Sequence, residues 1–150
     1  MDRTDRQILH ILQQDGRSTN LALAERVNLS PTPCLKRVRR LEDSGVIRGY
    51  AAQVDAQAAG MQVCAMVLIK ISANTREAAD GFAEAIARID AVTECHTVAG
   101  RYDYLCKLYA RDVAEFERIL RDQLSRLPAL ADIETLFVLS TLIDPRGLAL

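Results

Sequence analysis

Apolar residues recur at helical spacing through the first 45 positions, then at strand and helix spacings in turn. Residues 4–14 place Ile8, Leu9 and Leu12 on one face. The run ends at Asp15-Gly16, glycine being suited to a left-handed residue at a helix C-terminus. Residues 19–27 turn Leu23, Ala24 and Val27 inward, and Asn28 follows, a residue that tolerates positive φ in a tight turn. A third helix begins at Ser30. Its hydroxyl suits an N-cap, and Pro31 at the first helical position loses no hydrogen bond. Leu35, Val38 and Leu41 then mark an inner face, up to Gly45.

Beyond Gly45 the pattern turns extended. Residues 46–54, with Ile47-Arg48-Gly49-Tyr50 at their centre, read as a strand leading out of the helical part, and 55–60 as a connector. Residues 63–71 are rich in β-branched and apolar side chains and predict a buried strand. Residues 75–89 carry Phe82, Ile86 and Ile89 on one helical stripe. Strands over 92–98 and 102–109 are joined by Ala99-Gly100-Arg101, a connection of hairpin length. A helix over 113–127, striped by Val113, Phe116, Leu120, Leu124 and Leu127, stops at Pro128, and 133–142 is the last strand.

The order βαββαβ predicts a ferredoxin-like unit. The fold class is therefore α+β, an N-terminal helix-turn-helix domain over 1–50 (with the extended segment and connector to about 60) followed by a ferredoxin-like domain over 61–150. Both helices of such a unit cover one sheet face. The first and last strands are too apolar for the other face to meet water, which predicts a partner subunit.

Composition and charge narrow the function. A hydrophobic fraction of 49% and a charged fraction of 26% belong to a folded soluble chain. The net charge of −1 hides an asymmetry: residues 1–50 hold nine Lys/Arg against six Asp/Glu, and 51–150 hold ten against fourteen. A basic head on an acidic body suits an anionic polymer bound at one end. The four cysteines, Cys34, Cys64, Cys95 and Cys106, form no CxxC pair and sit in apolar stretches, as small buried hydrophobes do. Cys95 beside His96 is the one conceivable ligand pair, but no spacing resembles a structural zinc site. The charged N-terminus is unlike a secretory signal and no apolar run reaches ~18 residues, so a reducing, cytoplasmic setting without membrane contact is expected.

The chemistry concentrates on the third helix. Asn28-Leu29-Ser30 is a linker of helix-turn-helix length, and in that motif the later helix presents its N-terminal residues to base edges in the major groove of double-stranded DNA. Those residues are Ser30, Thr32, Pro33 and Lys36. Lys36, Arg37, Arg39 and Arg40 put four cations within five positions, interleaved with the apolar stripe, so all four are expected to face outward onto phosphates. A nucleophile–base motif, a phosphate loop and a metal signature are all missing, and the only histidines are His10 and His96, so neither enzyme nor cofactor is expected. The competing reading is a metabolite-binding regulatory module that acts on a protein partner without touching DNA. Outward cations on the third helix are unnecessary to such a module.

The stretches DRTDRQILHILQQDGR, LAERVNLSPTPCLKRVRRLEDSGVIRGY, VAGRYDYLCKLY and IETLFVLSTL, in this order and spacing, resemble the Lrp/AsnC regulators, also called feast/famine regulatory proteins. The resemblance covers essentially the whole chain. It implies a winged helix-turn-helix head and a ferredoxin-like effector domain whose sheets pair face to face in a homodimer. It also implies further assembly into a tetramer or octamer, with an amino acid or related small molecule held between dimers. Residues 49–54 look like the family's hinge strand. The family's GxxDY hairpin falls here on Gly100, Arg101, Tyr102, Asp103 and Tyr104, and Thr135 matches the position a neighbouring subunit often contributes. Gly100 admits close approach of a ligand. Asp103 suits equally an α-amino counter-charge and hairpin stabilisation, and Tyr102 and Tyr104 suit packing on the sheet. The chain departs from the family's pattern in Arg101, where an acidic or small residue is frequent, and in ending its last strand without lysine.

Overall fold

The computed structural model describes all residues except Asn74 and Arg146. The chain divides into two compact units, one of Met1–Gln53 with Leu142–Leu150 and one of Val54–Thr141.

The first unit is built on three helices, α1 (Arg3–Gln14), α2 (Asn20–Arg26) and α3 (Pro31–Asp43). Helix α1 starts in a reciprocal box: the Asp5 amide donates to the Asp2 carboxylate at 2.9 Å and the Asp2 amide to the Asp5 carboxylate at 3.0 Å. Two otherwise orphaned N–H groups are thereby satisfied. Helix α2 ends as its sequence requires. Asn28 takes φ +53, its amide bonds to the Glu25 carbonyl, and the Leu29 amide reaches back to the Ala24 carbonyl. That pairing closes the helix and drops Leu29 onto the apolar cluster. The cluster contains Ile8, Leu9, Ile11, Leu23, Ala24, Val27, Cys34 and Leu41. The C-terminal segment joins this unit through Gln13, whose side-chain amide donates to the Leu148 carbonyl and accepts from its amide.

Four local expectations are corrected. The inner stripe of α3 is Cys34, Val38 and Leu41, a spacing of four then three, whereas Leu35 is 36% exposed. A helix advances 100° per residue, and Leu35 lies one step past the buried face that Cys34 occupies. On α1, Ile11 is buried and Leu12 only partly so. Gly16 is absent from the positive-φ residues; a Cβ there would lie 3.3 Å from the Tyr50 ring, so closeness and not handedness favours glycine. Residues 46–54 form no strand within the single chain, since no neighbouring strand offers them a ladder.

The second unit is a four-stranded antiparallel sheet in the order β2-β3-β1-β4, from β1 (Val63–Ile71), β2 (Val92–Thr97), β3 (Tyr104–Ala110) and β4 (Leu130–Phe137). Helices α4 (Arg76–Ile86) and α5 (Val113–Asp122), with a 3-10 turn at Leu124–Arg126, complete the ferredoxin-like βαββαβ order. Strand β3 throughout, and β1 from Cys64 onward, alternate between buried and half-buried residues. Ala65, Val67, Ile69, Tyr104, Cys106 and Leu108 therefore meet Phe82, Ile86, Phe116 and Ile119 in one core. Phe82 stacks on Tyr104 with centroids 4.0 Å apart. The other phase of the alternation turns Met66, Leu68, Leu105 and Leu136 away from that core. Strand β4 begins and ends earlier than the expected 133–142. Its partner β1 starts at Val63, and beyond the Val138 amide on the Cys64 carbonyl no ladder is left for Leu139–Leu142.

Candidate functional site

Helix α3 starts after the Asn28 turn with Ser30 in extended conformation and Pro31 at its first position. The Ser30 hydroxyl makes no capping hydrogen bond, contrary to expectation. Pro31 and Pro33 carry no N–H, so the Thr32 amide is the one main-chain donor available in the first turn. Ser30, Thr32, Pro33, Lys36 and Arg39 are all exposed. Thr32, Lys36 and Arg39 follow one another at four and three residues and so form a single outward stripe.

The four cations of this helix do not share one role. Arg37 donates to Asp2 at 2.6 Å and to Asp5 at 2.8 Å, and Arg40 donates to Asp5 at 2.7 Å. Asp5 is 1% exposed. Burial pushes its carboxyl up, but the Asp2 amide and the Arg37 and Arg40 guanidinium groups more than reverse this, leaving it below its ordinary value. The expectation that all four cations point at solvent is thus corrected. A buried carboxylate on α1 draws two of them inward, because a charge out of water must be paired. Arg37 is 29% exposed along its side chain and serves as a tether, while Arg40 keeps 60% exposed as it reaches Asp5. Lys36 and Arg39 make no ion pair among the described residues.

The signal for the cap, though not for its arginine partners, was present in the sequence. Asp2 and Asp5 stand three apart before the apolar run of α1, a carboxylate form of the capping-box spacing.

The other predicted site is the loop between β2 and β3. The Val98 amide bonds to the Asp103 carbonyl and the Asp103 amide to the Ile69 carbonyl, each at 2.9 Å. The Asp103 carboxylate then accepts from Lys70 Nζ and from the Ile71 amide, both at 2.9 Å. The Lys70 ammonium and the Ile71 amide hold that carboxyl below its ordinary value. Tyr102 is 9% exposed; its hydroxyl donates to Glu134 at 2.6 Å and Arg101 lies over its ring at 5.3 Å. Nothing lies within 4 Å of where a Cβ on Gly100 would project.

Within one chain Tyr102 of the loop reaches Glu134 on β4, whereas the adjacent Thr135 makes no side-chain hydrogen bond to residues 100–103 among the described residues. It pairs with Val67 along β4, at the sheet edge opposite β2. Lys70 and Glu134 escaped sequence reasoning, although a lone lysine in the otherwise apolar VLIKI calls for a carboxylate. A cavity of about 720 Å³ in the first unit, beside α1 and residues 46–53, includes none of the predicted effector residues.

No helix is long and apolar enough to cross a membrane, and no group of three or more metal-binding side chains occurs among the described residues.

Residues 1–48 match the family of winged helix-turn-helix DNA-binding domains, and residues 64–148 match the Lrp/AsnC ligand binding domain. The leucine-responsive regulatory protein of Escherichia coli is 40% identical over 139 residues, covering 93% of this chain and 85% of that protein. A Neisseria meningitidis transcriptional regulator solved with L-methionine superposes with a TM-score of 0.90 at 34% identity, over 95% of this chain and 92% of that one. An AsnC family regulator from Agrobacterium tumefaciens superposes with a TM-score of 0.92 at 30% identity, over 99% and 96%.

Proposed function

The chain belongs to the Lrp/AsnC family of transcriptional regulators, and from that premise we propose which of its residues read DNA and which hold the effector. It is a DNA-binding regulator and not an enzyme. The module that acts on a protein partner alone does not account for its winged helix-turn-helix head.

Thr32, Pro33 and Lys36 meet base edges in the major groove, with Ser30 at the entry of the helix. Arg39 and Arg40 meet phosphates. Arg37 acts at one remove, holding α3 on α1 through Asp2 and Asp5. The observation that carries this division is the outward stripe of Thr32, Lys36 and Arg39 beside a paired, half-buried Arg37. It is tested by titrating duplex DNA at several salt concentrations. Replacing Arg39 by alanine should lower the log–log salt slope by about one, if it neutralises one phosphate, and Lys36→Ala should relax sequence preference, whereas Arg37→Ala should leave the slope nearly unchanged. An Arg39→Ala chain with unchanged affinity and slope overturns the reading.

The effector is an amino acid with an apolar side chain. Support comes from the match to the Lrp/AsnC ligand binding domain and from the L-methionine bound to the Neisseria relative. Gly100, Arg101 and Tyr102 form the loop against which it rests, Asp103 fixes that loop on β1, and Thr135 of a neighbouring subunit closes the site. The outward Met66, Leu68, Leu105 and Leu136 support a homodimer formed sheet to sheet, assembling further into a tetramer or octamer. Double-stranded DNA as partner and four free cysteines fit a cytoplasmic setting. Thermal shift with leucine, methionine and the remaining amino acids tests the effector, since a ligand at ~100 times its dissociation constant stabilises by about 2.7 kcal/mol. A chain that no amino acid stabilises contradicts it.

A further inference from the structure

Two thiols face each other across the hairpin that carries the effector loop. Cys95 on β2 and Cys106 on β3 are ladder partners, and their sulfurs are 3.3 Å apart. The ladder's parity fixes the kind of pair. Val98 bonds to Asp103, so the residues opposite one another alternate from there, and Cys95–Cys106, three steps down, is a pair without mutual main-chain hydrogen bonds. Such partners approach to about 4.5 Å between Cα atoms, inside the range a disulfide spans.

The two sulfurs differ as an attacking and a resolving thiol must. Cys95 is exposed at the sheet edge, whereas Cys106 is fully buried in the core. We propose that Cys95 and Cys106 form an oxidant-reactive dithiol, in which a hydroperoxide oxidises Cys95 and Cys106 then closes an intrachain disulfide.

The Cys106 thiol donates to Cys95 and, with the neighbouring His96, holds the Cys95 thiol below its ordinary range, which favours its thiolate. The Cys95 thiolate attacks the peroxide. An S–O bond forms, the O–O bond breaks and hydroxide or alkoxide leaves, so sulfur loses the two electrons that the peroxide gains. Cys106 then surrenders its proton and attacks Cys95 Sγ. The S–S bond forms as the S–O bond breaks, and the departing hydroxide with that proton becomes water. The remaining cysteines are poorer targets: Cys34 is buried, which pushes its thiol up, and Cys64 is half-buried on β1. The closed bridge staples β2 to β3 below the loop at 100–103, which lies inside the ring it creates.

The test treats the full-length chain with hydrogen peroxide, blocks residual thiols with iodoacetamide and maps disulfides by non-reducing peptide mass spectrometry. Cys95 should be consumed at least about tenfold faster than Cys34 or Cys64. It should appear joined to Cys106 of the same chain and be restored by dithiothreitol. In Cys106→Ser, and in Cys106→Ala as a second packing of that core site, the Cys95 sulfenic acid should persist and take up dimedone well above the wild-type level. Equal consumption of Cys34 or Cys64, a bridge between two chains, or wild-type dimedone labelling in both Cys106 variants overturns the proposal.

Discussion

Asp5 in the helical unit and Asp103 in the sheet unit are bonded alike. Each carboxylate accepts one main-chain amide and at least one basic side chain, and each is held below the ordinary aspartate value. Their surroundings differ. Asp5 is 1% exposed and sits between two helices of one core, whereas the Asp103 side chain is 19% exposed and pins a loop to the end of β1. The same chemistry therefore serves two ends. Where the carboxylate is buried, losing it strands cations against the core; where water reaches it, losing it releases a loop and leaves the core intact.

The largest effect is expected from Asp5→Ala. It removes one of the two acceptors of Arg37, the acceptor of Arg40 and the reciprocal half of the α1 cap, and should destabilise the head by about 2–3 kcal/mol. Hydrogen exchange at the α1 amides reads this directly: protection there should fall while that of β1 and β3 holds. Exchange in α1 that stays at the wild-type rate would place the stability of the head elsewhere.

Acid sharpens the contrast. A carboxyl lowered in the folded chain contributes stability that is complete above its unfolded value of 3.8 and disappears as pH falls through the folded one. The head should therefore loosen below about pH 4, as Asp5 and, with it, Asp2 take up protons. In Asp5→Asn this loss should shrink, since the group that titrates is gone, and the variant should already be weaker at neutral pH. An acid profile of α1 exchange as steep in Asp5→Asn as in wild type would refute the assignment.

How legible this was in the sequence follows the range of each interaction. The α2–α3 turn, with Asn28 at positive φ and Pro31 opening the next helix, is local chemistry and stood in the sequence, as did the βαββαβ order. The side of α3 facing α1 was not legible from α3 alone. Leu35 is more apolar than Cys34, yet Cys34 is buried, because the partner helix and not the hydropathy of one residue chooses the phase. The fate of KRVRR was hidden for the same reason: Asp5, 32 and 35 positions before its partners Arg37 and Arg40, divides it. At the loop the sequence named residues 100–103 but left Asp103 between two roles. Lys70 and the Ile71 amide, supplied by another strand, favour the anchoring one.

The smallest change in stability, and the most informative change in function, is expected from Asp103→Asn. Asparagine keeps an oxygen for the Ile71 amide but no charge for Lys70, so the loop stays folded yet less firmly held. Its melting temperature should stay closer to wild type than that of Asp5→Asn, because water reaches the site and takes up much of the lost interaction. Affinity for the amino-acid effector should nevertheless fall about tenfold, the size of one charge-assisted hydrogen bond forgone in placing the loop. Lys70→Met removes the same ion pair from the other side. If Asp103 acts by anchoring, both single variants should weaken the ligand similarly and the double variant little more, since one interaction is then lost once. Calorimetric titration of the three proteins decides it. A Lys70→Met chain that binds as tightly as wild type, beside an Asp103→Asn chain that does not, would move Asp103 from anchor to direct ligand of the effector's ammonium group.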